Sequence, residues 1–283
     1  MIVDVISVPT PDGLELPAAF LPPQGSFNGA ADAVILNGGT SASFYSPPLF
    51  GLMPAFAAAG LGVLSLATRG RDIVWKQLGK PGYYGSAFES IADCIPDFNG
   101  AIEALGKRGF SKVVVIGHSN GAVKAIYYAA HEPDRRLTAV VSCSGPRFSA
   151  AWYAASDRAE EFRQNVARAQ ALVDSGQPDG LFELTFPTEP LLRSAQAYLD
   201  KYTTEAYNFA EWSDRIRVPL LRLTGEREGN VVQAGVAEDL MRLAVNSPQR
   251  QAMVIPGAAH RYSESEAQFV ADATIGWLQS LAG

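Results

Sequence analysis

The chain contains few cysteines and histidines, and it has no excess of positive charge. Its 283 residues include only two cysteines, Cys94 and Cys143, and neither belongs to a C-x-x-C pair. We therefore expect no zinc knuckle and no dithiol redox motif. The formal net charge is -6, which argues against nucleic acid as a partner because phosphate binding needs clustered Lys and Arg.

The chain also lacks segments that would target or anchor it to a membrane. No apolar run is long enough to cross a bilayer, and Met1-Ile2-Val3-Asp4 does not open a basic and then apolar secretion signal. We therefore expect a cytoplasmic protein with no membrane partner. Its composition, 47% apolar and 18% charged, is that of a folded globular protein, and its length suits one large domain with or without an insertion.

Continuous apolar segments alternate with helical ones along most of the chain. This order predicts a mostly parallel sheet with helices on both faces. The predicted strands are 2–8, 14–21, 32–36, 62–67, 112–116, 137–142, 218–224 and 251–255, and the predicted helices are 48–60, 90–105, 122–130 and 264–281.

One long interval, between Gly145 and Val218, interrupts the alternation. It contains no good strand pattern but much helical and aromatic sequence, so we interpret it as a helical cap inserted over the carboxyl edge of the sheet. Most of its aromatic residues should pack within the cap, while Trp152 and Tyr198 are our candidates for substrate contacts. The predicted division is a first core segment, a cap and a second core segment, at 1–146, 147–213 and 214–283.

The pentapeptide Gly117-His118-Ser119-Asn120-Gly121 is the most informative motif of the chain. It is a G-x-S-x-G sequence that follows a β-branched strand and precedes a helix, the context of a nucleophile elbow. The serine of such an elbow sits in a strained turn, and side chains at the flanking glycines would collide with the strand or helix. We therefore predict that Ser119 is a nucleophile.

A serine nucleophile needs a base, and the chain offers three histidines. His118 lies inside the elbow and leaves the turn from a different place than Ser119. His131 follows the helix that runs away from the elbow, so it should lie at the opposite end. His260 follows the last strand, at the same sheet edge as Ser119. We therefore assign the base to His260.

An acid that orients the histidine should follow a strand between the elbow and His260, because chain order in this arrangement is serine, acid, histidine. The segment after strand 218–224 offers two carboxylates, Glu226 and Glu228. Glu228 is preferred because it lies at the tip of the loop. Glu226 remains the alternative.

An oxyanion hole needs two backbone N–H donors. The amide of Asn120, directly after the nucleophile, should be one. The second should come from the loop Asn37-Gly38-Gly39-Thr40, where glycines let the backbone approach the substrate. The sequence does not decide whether Gly39 or Thr40 provides this second donor.

Together these motifs resemble the α/β-hydrolase fold family over nearly the whole chain. The matching pieces are the elbow, the Asn37–Thr40 loop, the acid turn, the histidine turn and the Arg-Gly pair in Thr68-Arg69-Gly70. The chain departs from many members in having Asn37 in place of a histidine and a glutamate in place of an aspartate. The resemblance implies hydrolysis of carboxylic esters or related acyl compounds without a cofactor.

The expected activity is that of a serine hydrolase. It would cleave a small-molecule ester or lactone with an apolar or aromatic part through an acyl-enzyme. Carbon–carbon bond hydrolysis or acyl transfer could use the same residues, and a non-catalytic ligand-binding homologue is the rival from another class. A dehalogenase is disfavoured because it would need a carboxylate at position 119. The oligomeric state is left open.

Overall fold

Short β-branched strands build a central sheet that is buried on both faces. Strand β5 (Val113–His118) illustrates the pattern, since alternate side chains point to opposite faces. Val113 and Val115 join one apolar cluster, and Val114 and Ile116 join the other. This burial on both sides explains why the strand is continuously apolar.

A computed structural model describes residues 1–187 and 191–282. Its main sheet has eight strands, which besides β5 are β1 (Asp4–Pro9), β2 (Glu15–Leu21), β3 (Ala33–Asn37), β4 (Gly62–Leu66), β6 (Leu137–Cys143), β9 (Leu220–Gly225) and β10 (Arg250–Ile255). They lie in the order β1-β2-β4-β3-β5-β6-β9-β10. Strand β2 pairs antiparallel with β1 and β4, whereas the pairs from β4 through β10 are parallel.

Helices cover both faces of the sheet, as the alternation of elements predicts. Helices α2 (Cys94–Gly106), α3 (Asn120–Ala130) and α7 (Val236–Leu243) pack on one face. Helices α1 (Met53–Ala58) and α8 (Glu264–Ser280) pack on the other. The sequence analysis did not predict α7, whose eight residues are fewer than sequence periodicity resolves well.

The interval between β6 and β9 contributes most of a third buried cluster, which is rich in aromatic residues. It contains α4 (Ala150–Ala154), α5 (Ala159–Asp174), β7 (Leu181–Leu184), β8 (Leu191–Ser194) and α6 (Ala195–Tyr202), followed by two short 3₁₀ helices at Phe209–Glu211 and Ser213–Arg215. The expectation of no strand here is wrong, because β7 and β8 form a two-stranded antiparallel sheet. Each is only four residues long, too short for a clear alternating pattern. The cap boundaries 147–213 stay a prediction.

The turn between β5 and α3 is too tight for side chains at its glycines. Ser119 has a φ of 56° and a ψ of -122°, a conformation that L-residues rarely adopt. A Cβ at Gly117 would lie 2.1 Å from the carbonyl oxygen of Gly121. A Cβ at Gly121 would lie 2.3 Å from the carbonyl oxygen of Gly38. The elbow therefore depends on both glycines.

We expect Gly117→Ala to lower the free energy of unfolding by at least about 3 kcal/mol, because its Cβ would overlap backbone that cannot retreat. The control is Gly276→Ala in helix α8, where an added Cβ meets nothing within 4 Å. That substitution should instead raise the free energy of unfolding by up to about 1 kcal/mol. Urea unfolding of both variants measures the difference, and equal stabilities would contradict the packing described.

Candidate active site

Three side chains from distant parts of the chain meet at the carboxyl edge of the sheet. The Nε2 of His260 lies 2.9 Å from the Oγ of Ser119, and its Nδ1 lies 3.2 Å from an Oε1 of Glu228. Ser119 and His260 are half-buried, so a substrate can reach them. These are the contacts required of a nucleophile, its base and an orienting acid.

Parallel strand topology explains why these residues converge. Ser119 follows β5, Glu228 follows β9 and His260 follows β10, and loops after parallel strands open at one edge. His131 instead ends α3 at its far end, where its Nδ1 lies 2.9 Å from the carbonyl oxygen of Tyr127. Of the three histidines, His260 is therefore the one whose ring meets the serine hydroxyl.

The two carboxylates of the acid turn have different partners. Glu228 has a side chain only 1% exposed, and it faces the His260 ring. Burial alone would raise its pKa, but hydrogen bonds from His260 and Ser144 outweigh burial and hold the pKa of Glu228 below its usual range. Exposed Glu226 accepts a hydrogen bond of 2.7 Å from the backbone N–H of Gly257, so it fastens the loop that precedes His260.

The loop after β3 lies directly against the nucleophile elbow. A Cβ at Gly39 would lie 3.1 Å from the Cβ of Ser119 and 3.5 Å from its Oγ, so a side chain there would crowd the serine. Thr40 follows it and is half-buried. The amides of Gly39, Thr40 and Asn120 remain the candidate oxyanion donors.

Comparison with known proteins identifies the fold family of the chain. The model of the "Alpha/beta hydrolase family" matches residues 33–273. The chain belongs to the alpha/beta hydrolase family. The predicted fold class is therefore confirmed, since the match covers most of the chain and the sheet topology agrees with it. A search of curated proteins finds no sequence that matches this hydrolase.

Solved structures of other alpha/beta hydrolases and esterases have a similar fold. The alpha/beta hydrolase GrgF from Penicillium sp. sh18 has a TM-score of 0.72 at 14% identity, over 100% of this chain and 99% of that one. Est1E from Butyrivibrio proteoclasticus has a TM-score of 0.66 at 14% identity, over 98% of both chains. The esterase Pf2001 from Pyrococcus furiosus has a TM-score of 0.64 at 16% identity, over 100% of this chain and 93% of that one.

The two aromatic residues predicted to contact substrate have different surroundings in this hydrolase. Trp152 is 39% exposed, and its Nε1 donates a hydrogen bond of 2.8 Å to the carbonyl of Val231, just beyond the acid turn. Tyr198 is fully buried, with its ring 5.3 Å from that of Phe182. The structure therefore connects Trp152 to the loop that carries Glu228 and packs Tyr198 in the third apolar cluster. A substrate role for either residue stays a prediction.

His118, which the sequence analysis set aside as a base, supports the histidine loop of the hydrolase. Its Nε2 lies 2.8 Å from the carbonyl oxygen of His260, so it carries the proton and donates it. Burial, reinforced by the nearby His260 ring, lowers the pKa of His118 to about 4. His118 is therefore neutral at pH 7, and it anchors the backbone of His260 from inside the elbow.

A buried arginine that the sequence analysis missed lies beneath the acid. Arg222 is 1% exposed, and it donates hydrogen bonds of 3.0 Å to Thr224 and 3.1 Å to Ser142. Its charge helps to lower the pKa of Glu228. The signal was visible in Leu220-Leu221-Arg222-Leu223, since a charged residue inside a buried strand is rarely there without a role.

Residues 1–187 and 191–282 contain neither a metal-binding cluster nor a helix able to span a membrane. No group of three or more His, Cys, Asp or Glu side chains in these ranges is arranged to hold a metal ion. None of the helices in the same ranges has the length and apolar composition needed to span a bilayer.

The buried position of His118 predicts a specific pH dependence. Its pKa of about 4 in the folded protein lies below the usual value of about 6.5 in an unfolded chain. The unfolded state therefore binds more protons between these values, and stability is lost as the pH falls through this window. Through this one residue, acidification from pH 6.5 to pH 4.5 should lower the free energy of unfolding by about 2 kcal/mol.

His118→Gln keeps a side-chain donor but does not titrate, so its free energy of unfolding should fall less on acidification. Urea unfolding of the wild type and the variant at pH 6.5 and pH 4.5 measures the difference. Carboxylates contribute equally to both proteins and cancel. Identical losses in the two proteins would contradict a neutral, buried His118.

Proposed function

We propose that this protein is a serine hydrolase that cleaves a carboxylic ester or a lactone through an acyl-enzyme. The observation that carries the proposal is the continuous chain of contacts from Ser119 to His260 and Glu228, with distances of 2.9 Å and 3.2 Å. The strained elbow supports it as well, because non-glycine residues at positive φ are costly and concentrate at functional sites.

In the proposed reaction, Ser119 Oγ attacks the ester carbonyl carbon while His260 Nε2 accepts the hydroxyl proton. The negative charge that forms on the carbonyl oxygen is bound by the amide of Asn120 and by that of Gly39 or Thr40. His260 then gives its proton to the departing alkoxide, which leaves an acyl-serine. Water, deprotonated by His260, hydrolyses this acyl group and frees Ser119.

Glu228 has two roles in this scheme. It accepts the Nδ1–H of His260, which fixes the tautomer that leaves Nε2 free to accept a proton. Its negative charge also stabilises the imidazolium that forms during each attack. The lowered pKa of Glu228 supports both roles, because the acid must be ionised at neutral pH.

The proposed substrate carries an apolar or aromatic part. Support comes from Trp152, an aromatic side chain that is 39% exposed and is bonded to Val231 just beyond the acid turn, and from Est1E, a protein of similar fold that has been solved with ferulic acid bound. In lactones the ester is internal, so the same site would open the ring. We propose residues 147–213 as the cap and the cytoplasm as the location of the protein.

A fluorophosphonate probe tests the nucleophile directly. We expect it to label the wild type at Ser119, as identified by mass spectrometry of the labelled peptide. Ser119→Ala should lose labelling and at least about a thousandfold of kcat on nitrophenyl esters while its melting temperature is retained. Labelling of a different residue, or a Ser119→Ala variant that keeps wild-type activity, would contradict the proposal.

The two glutamates of the acid turn provide a matched pair. Glu228→Gln keeps the size of the side chain but removes its charge, so kcat should fall by about 10³- to 10⁴-fold. Glu226→Gln keeps an oxygen that can accept from Gly257, and its kcat should stay within about twofold of the wild type. Steady-state kinetics with one nitrophenyl ester compares them. The reverse result would assign the acid to Glu226.

A further inference from the structure

A buried polar network lies between the nucleophile elbow and the cap. Its members are Glu89, Asn120, Lys124, Arg193 and Lys201, each at most 3% exposed. Glu89 precedes α2, Asn120 and Lys124 belong to α3, Arg193 belongs to β8 and Lys201 belongs to α6. The network therefore joins the core of the hydrolase to two elements of the cap.

The side chain of Asn120 is held from both ends within this network. Its Nδ2 donates a hydrogen bond of 3.0 Å to Glu89, and its Oδ1 accepts one of 2.7 Å from the Nζ of Lys201. Glu89 is itself paired with Lys124, and a Cβ at Gly70 would overlap its carboxylate. Glu89 is thus fixed in place, and Lys201 is the one of these partners that comes from the cap.

Basic groups outnumber acidic groups within this network. Three basic side chains, those of Lys124, Arg193 and Lys201, surround one carboxylate, that of Glu89. Burial and the neighbouring charge of Arg193 hold the pKa of Lys201 well below its usual range, against the opposing effect of Glu89. An ammonium group at this place is therefore costly, and an apolar side chain would fill the space at less expense. Stability alone does not explain a lysine at position 201.

The position of Asn120 supplies an explanation. It is the first residue of α3 and follows Ser119, and its backbone N–H is a proposed oxyanion donor. Such a donor helps only when it is already directed at the place where charge develops. A side chain bonded at both ends limits rotation of the residue and so preserves the direction of its N–H.

We propose that Lys201 is a positioning residue that reaches from the cap and, by holding the side chain of Asn120, keeps the Asn120 amide directed at the oxyanion. This inference rests on the proposed function, because it presumes an oxyanion at Ser119. Its consequence is that a correctly seated cap is needed for the chemical step even with substrates too small to contact the cap.

Three variants test the contact, namely Lys201→Met, Asn120→Ala and the double variant. Methionine has a similar length without the charge, and alanine keeps the backbone N–H of residue 120. Each single variant should lower kcat for a nitrophenyl acetate by about 10- to 100-fold with little change in KM. The double variant should lose no more than the worse single variant, since both remove the same contact.

Inhibition by a boronic acid distinguishes a positioning role of Lys201 from a purely structural one. Phenylboronic acid adds to the serine as a tetrahedral anion, so its inhibition constant should rise by the same factor as kcat falls. Ser194→Ala is the matched control. It removes the side-chain cap at the start of the same helix but leaves Lys201 and Asn120 intact, so it should lower the melting temperature without lowering kcat.

The outcomes separate this inference from the proposed function. If the wild type neither reacts with a fluorophosphonate nor cleaves esters, the proposed function fails. If the wild type does both, the proposed function stands, and the inference about Lys201 can fail separately. It fails if Lys201→Met keeps kcat within twofold of the wild type. It also fails if the factor by which the double variant lowers kcat is the product of the two single factors. If Lys201→Met does not fold, the Asn120→Ala variant provides the test. Wild-type kcat and wild-type boronate affinity in Asn120→Ala would also overturn the inference about Lys201.

Discussion

The structure depends on one strained turn, at Ser119. Its positive φ of 56° would be unfavourable in an isolated peptide, so the surrounding chain must hold it. The holding contacts are backbone to backbone. The strand end at Gly117 touches the start of α3 at Gly121, and Gly121 in turn touches the loop that follows β3. The elbow, the Asn37–Thr40 loop and the first turn of α3 therefore form a closely packed unit with no room for a Cβ at Gly117 or Gly121.

Buried ionisable side chains lie on two sides of this unit. On the side of the acid turn, Arg222 lies beneath Glu228 and helps to keep it ionised. On the side of the interval between β6 and β9, Glu89 and Lys201 hold the side chain of Asn120. Burying ions in this way generally costs more stability than apolar packing would. Their concentration beside one serine is consistent with a site in which orientation and charge matter more than stability.

Much of the site was predictable because it consists of local motifs at strand ends. The elbow, the Asn37–Thr40 loop and the turns that carry Glu228 and His260 each follow an apolar strand that is recognisable in the sequence. The buried polar residues were harder to find. Lys124, Arg193 and Lys201 come from separate elements, and nothing in their local sequence says that they converge on Glu89 and Asn120. The short strands β7 and β8 were missed for a different reason, since four residues carry too little periodicity.

The amino-acid sequence was enough to predict the eight strands of the main sheet, most of the helices that cover it, the glycines of the elbow and the candidate serine, histidine and acid. These follow from local sterics and from hydrophobic periodicity, which act over a few residues. Only the folded chain reveals that Glu228 contacts His260 while Glu226 binds the backbone of Gly257. The same is true of the packing of Tyr198 against Phe182 and of the contact between Lys201 and Asn120. Those outcomes depend on how distant segments pack and which buried polar groups find partners, and both are settled only when the whole chain is folded.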